Sequence, residues 1–293
     1  MPELPEVEVV RAGLEPALVG SRIASVQVFD PRSLKRHDAR RGDFVGMLTG
    51  QRVLSASRRG KFMWFELETG DALVTHLGMS GQVLLRSVGA PVDRHLRIQF
   101  VVEHPDRDDV LVNFVDQRIF GSMAVDEMVT VGERRVPSQV AHIAPDPLEP
   151  AFDDAVFVRR LRAKHTGVKR AILDQTLISG VGNIYADESL WASKLHGERP
   201  GDSLTAAQAK TLLAEIRVVL NKALAEGGTS FDAQYLNVNG EAGYFAHSLN
   251  AYGRQGEPCP RCGTAIRRVS FMNRGSHFCP RCQRENIGKA TRR

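Results

Sequence analysis

The sequence lacks the two features that would direct a protein into or across a membrane. No uncharged apolar run approaches the ~18 residues that a membrane-spanning helix needs, and the acidic start, Met1 to Glu6, has no basic region of the kind that begins a signal peptide. Its 42% hydrophobic and 25% charged residues are also unlike those of a disordered or collagen-like chain. We therefore expect a soluble, cytoplasmic protein of roughly two domains and no membrane partner.

Acidic residues are scarce at one end of the chain only. Residues 251–293 hold ten basic and two acidic residues, whereas residues 1–150 hold 18 basic and 21 acidic ones. The formal net charge of +5 therefore originates in the last 43 residues, which also hold all four cysteines. A basic segment favours contacts with nucleic-acid phosphates, and the cysteines argue against its being disordered.

The cysteines form two CxxC pairs, Cys259 with Cys262 and Cys279 with Cys282, separated by 16 residues. This spacing predicts one structural Zn²⁺ ion in a tetrahedral shell of four thiolates. Two disulfides are the first alternative, and the missing secretory signal disfavours them. A redox pair is the second, and no thioredoxin-like unit surrounds these cysteines.

Two strand-like runs lie between the cysteine pairs, at residues 266–272 and 276–278. They predict a zinc-stapled β-hairpin with its turn at residues 273–275 and Arg274 at the tip. Such a short segment cannot bury an adequate core, so the metal would hold it together. Arg274 suits a phosphate contact. The sequence is equally compatible with a turn residue that only faces solvent.

Hydrophobic periodicity divides the rest of the chain into a strand-rich part and a helical part. Residues 1–20 predict a helix, because Val7, Val10, Leu14 and Leu18 recur at helical spacing. The strand-like runs that follow predict an antiparallel sandwich; they include residues 23–29, 62–67, 73–77, 96–102 and 110–115. After a proline-rich linker candidate, helices are predicted at residues 155–164, 169–177, 183–192 and 206–225. The fold class is therefore α+β and multidomain.

A glycine pair, Gly180 and Gly182, separates two of the predicted helices. It resembles part of a dinucleotide-binding fingerprint, but the strand–turn–helix context and the third glycine are missing. We interpret it as a tight turn that presents the amino end of the Asn183 helix to a phosphate.

The chain start offers an unusual nucleophile. Removal of Met1 would leave Pro2 as a free secondary amine, and an α-amino group titrates near pH 8, well below a lysine. Such an amine can attack a carbonyl-like carbon and form a cationic iminium. Glu3 and Glu6 are nearby candidates for a general acid or general base. Taken alone, these residues are equally compatible with an ordinary solvated helix start.

A set of short motifs occurs in one order along almost the whole chain: Met1–Glu8, Arg59–Lys61, His76–Gly81, Asp116–Gly121, Gly180–Ala186 and the two CxxC pairs. This ordered set resembles the bacterial formamidopyrimidine-DNA glycosylase family. The resemblance implies a bifunctional DNA glycosylase and AP lyase of base excision repair. It would excise 8-oxoguanine and formamidopyrimidines from damaged double-stranded DNA through a Schiff base on Pro2, followed by β,δ-elimination.

The resemblance also implies roles for residues of the active site. Glu3 matches the general acid/base carboxylate, Glu6 a supporting acid, and Lys61 a lysine beside the lesion and its phosphate. Arg274 completes the catalytic set. The implied domains are an N-terminal helix with a β-sandwich, a helix-two-turn-helix domain with a lesion-capping loop, and a zinc finger; we place them at residues 1–133, 155–250 and 251–293, with a linker at 134–154.

The remaining implied residues bind DNA. Met79, Arg118 and Phe120 match a triad that fills the hole left by a flipped base, although Met79 and Phe120 alone would be assigned to a core. Further implied phosphate contacts are His76, Lys169 and Asn183. Ser230 and Tyr235 fall in the implied lesion loop. A basic cluster at residues 35–41 has no role in this interpretation.

Two other functions compete with this one. An endonuclease VIII-like glycosylase would prefer oxidised pyrimidines, but Leu4 and the Met79, Arg118 and Phe120 set favour the purine branch. A non-catalytic zinc-ribbon DNA-binding protein would explain the finger and leave Pro2 unexplained. We further expect a monomer, because one lesion occupies one site, and a nucleoid-associated location in a bacterial cytoplasm.

Overall fold

The structure is a computed structural model that describes residues 2–229, 238 and 244–285. The chain divides into two compact units that are described separately. The first comprises Met1–His142 and Glu226–Tyr244, and the second comprises Ile143–Ala225 and Phe245–Arg293. The four segments that the sequence suggests stay a prediction.

The first unit begins with helix α1 (Leu4–Leu18). Pro5 lies in its first turn, where a missing backbone N–H breaks no hydrogen bond. Val7, Val10 and Leu14 are almost completely buried, as their helical spacing predicts. The helix therefore has one apolar face, which packs on the sheets that follow.

Two antiparallel sheets form the body of this unit in the described part of the chain. The first has the order β1-β6-β7-β5 and is made of β1 (Arg22–Val28), β5 (Gly81–Ser87), β6 (Leu96–Glu103) and β7 (Val110–Asp116). The second has the order β2-β3-β4-β8-β9 and is made of β2 (Val53–Arg59), β3 (Phe62–Leu67), β4 (Asp71–His76), β8 (Ser122–Val131) and β9 (Arg134–Pro137). A short helix, α2 (Phe44–Leu48), separates β1 from β2.

One apolar core joins α1 to both sheets. It includes Leu14 of α1, Phe114 of the four-stranded sheet and Met63 of the five-stranded sheet, each fully buried. The arrangement is the predicted sandwich with its helix. Strand β9 pairs with β8 through residue 137, so the sheet continues past the predicted domain limit at residue 133.

The second unit is helical and carries one hairpin. Its elements are α3 (Asp154–Arg162), α4 (Val168–Ile172), α5 (Asn183–Ala192), α6 (Ala206–Ala225), β10 (Arg267–Phe271) and β11 (Arg274–Phe278). Helix α4 ends five residues earlier than predicted. The reason is that the Asp174 carboxylate accepts hydrogen bonds from the backbone N–H and hydroxyl of Thr176, which form a turn there.

The hairpin turn lies one residue earlier than predicted. Phe271 pairs with Arg274, so Met272 and Asn273 are the two turn residues and Arg274 begins β11. Both turn residues have positive φ values, 43° and 61°, as a two-residue type I′ turn requires. The α+β, multidomain fold class is confirmed. Among the described residues, no helix combines the length and the apolar character that crossing a bilayer requires.

Candidate functional site

The four cysteines meet at one point of the second unit. Their sulfur atoms all lie within 4.8 Å of one another, a spacing that suits tetrahedral coordination of one zinc ion. Hydrogen bonds from Thr264 lower the pKa of Cys262 to about 6, whereas burial raises the pKa of Cys279 to about 12. Cys259 and Cys279 are buried. The donor set fits Zn²⁺, and the predicted structural ion is confirmed.

Helix α5 fastens this finger to the helical part of the unit. The indole N–H of Trp191 donates to Cys259 Sγ at 3.4 Å. The Glu188 carboxylate accepts backbone N–H groups of residues 250–252, and Asp187 accepts the N–H of His277 at 2.8 Å. Both carboxylates are almost fully buried, so the helix and the finger share a polar interface in which each carboxylate has several donors.

The start of α1 and the β2–β3 turn lie at the same edge of the first unit. Arg11 donates to the carbonyl of Ala56 at 3.3 Å, and Arg58 Nε lies 2.9 Å from Glu8 Oε2. Helix α1 therefore runs antiparallel to β2, and the start of the helix lies near the end of the strand. Lys61 occupies the two-residue turn that follows β2, which brings it to the helix start.

The same edge holds the ends of further strands. His76, the last residue of β4, pairs with Phe62 on one side and Ser122 on the other. The β4–β5 and β7–β8 loops thus emerge beside the turn that carries Lys61. The structure brings the N-terminal residues, Lys61, His76 and these two loops to one edge.

Pro2 is buried directly before α1, and Glu3 is the N-cap residue of that helix. The backbone N–H of Glu3 donates to Glu6 Oε2 at 2.8 Å, while Glu6 Oε1 accepts the N–H of Thr229 at 2.8 Å. Glu6 therefore fixes both the helix start and the chain at Thr229. At this position the positive end of the helix dipole favours a neutral Pro2 amine once Met1 is removed.

His76 is a neutral hydrogen-bond donor at this edge. Its ring centroid lies 4.6 Å from that of Phe62, and Nδ1 accepts the N–H of Gly78 at 3.2 Å. Burial, together with the charges of Arg36 and Lys61, lowers the pKa of His76 to about 4. Because Nδ1 is an acceptor, the proton of the neutral ring resides on Nε2.

Met79, Arg118 and Phe120 lie on the two loops. Met79 and Phe120 expose 43% and 45% of their surface, far more than core residues do, and the Arg118 guanidinium lies 4.8 Å from the Phe120 ring centroid. Gly78 has a positive φ of 64°, and a Cβ there would overlap the backbone of Phe120 and Gly121. The loops are therefore in contact through their backbones.

Asn183 and Arg274 are neighbours in the second unit. Asn183 Nδ2 donates to the carbonyl of Gly275 at 3.0 Å, next to the exposed Arg274. Lys169 differs from these two. It is fully buried, with Nζ 2.6 Å from Asp187 Oδ1, so it could reach a phosphate only if this ion pair broke. The predicted phosphate contact of Lys169 stays a prediction, and Asp187 would compete with the phosphate for this ammonium group.

Two predicted residues, Ser230 and Tyr235, lie outside the described residues. Sequence reasoning also missed contributors to the loops. Ser80 and Asp116 hydrogen bond to each other across them at 2.6 Å, and their only sequence signal is that they fall within two of the motifs given above.

Three family descriptions match the chain in order. They are the formamidopyrimidine-DNA glycosylase N-terminal domain at residues 1–123, the formamidopyrimidine-DNA glycosylase H2TH domain at residues 143–234, and a zinc finger found in FPG and IleRS at residues 256–284.

Similar proteins cover almost the whole chain. A formamidopyrimidine-DNA glycosylase of Leifsonia xyli subsp. xyli is 59% identical over 97% of this chain and 100% of its own length. One from Nocardioides sp. is 58% identical over 97% of this chain and 94% of its own.

Solved structures show the same fold. A Lactococcus lactis FPG variant in complex with Fapy-dG containing DNA is 33% identical, with a TM-score of 0.83 over 97% of this chain and 100% of its own. MutM (FPG) from Thermus thermophilus is 37% identical, with a TM-score of 0.81 over 96% of this chain and 98% of its own.

Proposed function

Since the chain belongs to the formamidopyrimidine-DNA glycosylase family, we propose that Pro2 is the nucleophile of its glycosylase and lyase reactions. As a member of this family the protein is a DNA glycosylase of base excision repair. The observation that carries the proposal is the meeting of Pro2, Glu3 and Lys61 at one edge of the first unit. The relatives solved with Fapy-dG and 8-oxo-G containing DNA support oxidised purines as the substrates.

The proposed reaction begins after Met1 is removed. The unprotonated Pro2 nitrogen bonds to C1′ as the glycosidic bond breaks, and the bonding electron pair leaves with the base, which takes up the proton that the Pro2 nitrogen then gives up. Opening of the sugar ring then gives a cationic iminium, and O4′ accepts a proton from Glu3. The Glu3 carboxylate then takes a C2′ proton as the 3′ phosphate leaves, and loss of a further sugar proton expels the 5′ phosphate. Water hydrolyses the iminium and releases Pro2.

Glu6 and Lys61 support this chemistry in different ways. The two hydrogen bonds of Glu6 to the backbone of Glu3 and Thr229 suit a residue that positions the N-terminus without reacting. Lys61, at the adjacent turn, would hold the phosphate of the damaged nucleotide. We expect that contact to keep C1′ within reach of Pro2.

Flipping a base out of duplex DNA costs a few kcal/mol because stacking and pairing are lost. We propose that Met79 and Phe120 fill the resulting hole and that Arg118 hydrogen bonds to the unpaired cytosine. The exposure of both apolar side chains, and the stacking of Arg118 on Phe120, support a wedge made of these three residues.

Phosphates on either side of the lesion would be held by His76 in the first unit and by Asn183 and Arg274 in the second. His76 would donate through Nε2–H, and Arg274 would add charge. We retain Ser230 and Tyr235 as members of the lesion loop on the strength of the sequence alone. We also propose that the enzyme acts as a monomer in the bacterial cytoplasm.

The nucleophile is tested by reductive trapping. A duplex with 8-oxoguanine opposite cytosine is incubated with the protein and sodium borohydride, which should link protein and DNA covalently. A protein whose N-terminal amine is blocked should give no adduct while still binding the duplex. An undiminished adduct from the blocked protein would assign the chemistry to a lysine and exclude Pro2.

The preference for oxidised purines over oxidised pyrimidines is tested in parallel with a duplex that contains an oxidised pyrimidine. Slow excision of the pyrimidine and fast excision of 8-oxoguanine are expected. The reverse order would favour the endonuclease VIII-like alternative. The non-catalytic alternative is inconsistent with membership of the family.

A further inference from the structure

The loop that carries Arg118 and Phe120 has an unfavourable backbone conformation at its centre. Ile119 has a φ of +56°, a left-handed value that is rare for a β-branched residue and costs about 1–3 kcal/mol. Such a conformation persists only where surrounding contacts hold it. The contacts on each side of Ile119 therefore decide where Arg118 and Phe120 point.

Asp116 holds the loop from inside the first unit. This fully buried carboxylate accepts the backbone N–H of Arg118 at 3.1 Å and that of Gly121 at 2.7 Å, as well as the Ser80 hydroxyl at 2.6 Å. It fixes both ends of the loop and ties them to the neighbouring loop. The peptide groups of residues 119 and 120 lie between these fixed ends.

Lys35 holds that middle part from outside. Its Nζ donates to the carbonyl oxygens of Ile119 and Phe120, both at 3.0 Å. Both carbonyls converge on one ammonium group. Two arginines of the same basic cluster are engaged elsewhere: Arg40 pairs with Asp38 and Arg41 with Asp71.

We propose that Lys35 is a positioning residue that holds the Arg118–Phe120 loop in its DNA-ready shape before DNA binds. This inference rests on the proposed wedge. Without Lys35, the loop could relax at Ile119. The side chains of Phe120 and Arg118 would then have to be ordered at the moment of base flipping, which would cost part of the binding free energy. Arg118 would also be less able to distinguish the partner base.

The test compares Lys35→Met with Arg40→Met, because each removes one exposed cation from the same segment. Single-turnover excision is measured on duplexes with 8-oxoguanine opposite cytosine and opposite adenine. Two lost hydrogen bonds should slow excision opposite cytosine about five- to tenfold in Lys35→Met. The cytosine-to-adenine rate ratio should fall as well. Arg40→Met should leave the rates and the ratio close to those of the unchanged protein, and Lys35→Arg should restore most of the lost activity.

A second substrate separates positioning from damage to the fold. Strand cleavage of a single-stranded oligonucleotide with an abasic site needs Pro2 but no wedge, because a single strand has no base stack with a hole to fill and no partner base. Lys35→Met should cleave it at the normal rate. Equal losses on all three substrates, an unchanged cytosine-to-adenine ratio, or no loss at all would overturn the role of Lys35.

The proposed wedge itself is checked with Arg118→Ala and Phe120→Ala in the same assays. If these variants lose duplex excision while Lys35→Met does not, the wedge stands and the inference about Lys35 fails. If they too behave normally, the wedge is wrong, and the role of Lys35 falls with it.

Discussion

The charge state of His76 gives a sharp prediction about how the enzyme holds DNA. Burial and nearby cations lower its pKa from 6.5 to about 4, so roughly one ring in a thousand is protonated at pH 7. Relative to an exposed histidine, the folded protein disfavours the imidazolium by about 3 kcal/mol. A charge-assisted hydrogen bond contributes about 1.5–3 kcal/mol, which does not exceed this penalty. His76 should therefore bind a phosphate as a neutral Nε2–H donor.

This predicts a separation between affinity and salt dependence. His76→Ala should weaken binding of a lesion duplex about two- to tenfold, the contribution of one neutral hydrogen bond. The slope of log affinity against log salt concentration should not change, because a neutral group displaces no counterion. Arg274→Ala is the matched control and should make the slope shallower by about 0.9.

The measurement is fluorescence anisotropy of a labelled duplex with an uncleavable abasic analogue, titrated at several KCl concentrations and a pH of about 7.5, well above the pKa of His76. A slope that becomes shallower by about 0.9 in His76→Ala would refute the neutral-donor argument, because it would mean that His76 binds as a cation. An unchanged affinity would instead remove His76 from the phosphate contacts.

Three further predictions concern stability and the metal. Asp187→Asn removes the carboxylate that lies 2.6 Å from the buried Lys169 ammonium, so urea unfolding should show a loss of about 3–5 kcal/mol, much of it recovered in a double variant with Lys169→Met. Chelation of zinc should shift the fluorescence of Trp191, because its indole N–H donates to Cys259 Sγ; Trp191→Phe should abolish that shift. Since the folded pKa of His76, about 4, lies below the unfolded value of 6.5, the unfolded state binds more protons between these two pH values. Stability should therefore fall as the pH drops through that window, and His76→Gln should reduce the fall.

Each of these has an outcome that would contradict it. Asp154→Asn removes an exposed partner of Arg217 and should cost no more than about 1 kcal/mol; an equal loss in Asp187→Asn would mean that burial does not strengthen the pair. A zinc-dependent fluorescence change that persists without Trp191 would have to come from another fluorophore. An identical pH dependence of stability in His76→Gln would show that the histidine is not buried as described.

Local patterns in the sequence predicted those features that depend on neighbouring residues. Helices α5 and α6 begin and end at the predicted residues, because periodicity and capping are local. The zinc site was predictable for a similar reason, since two CxxC pairs carry their own geometry. The hairpin turn was misplaced by one residue, because the choice between Met272 and Gly275 as a turn residue depends on the strand register.

Long-range burial was not predictable. Lys169 looked like a surface cation on a helix, and only the folded chain shows it paired with Asp187. The catalytic set owed its prediction to resemblance, because Pro2 and Lys61 are 59 positions apart and no local pattern connects them. The hydrogen bond between Lys35 and the Phe120 carbonyl spans 85 positions, and no local pattern in either segment predicts it.

The docking of the finger on α5 limits how freely this protein can exchange parts. The helical and zinc-finger segments match separate family descriptions, as though each were a self-contained piece. Yet Asp187 and Glu188 are satisfied by backbone N–H groups of the finger and of the chain leading to it. A foreign finger would therefore have to present a backbone N–H to Asp187 where His277 does, beside the Lys169 ammonium that already pairs with this carboxylate. The geometry of this interface, more than the sequence of the finger, thus limits which fingers α5 can accept.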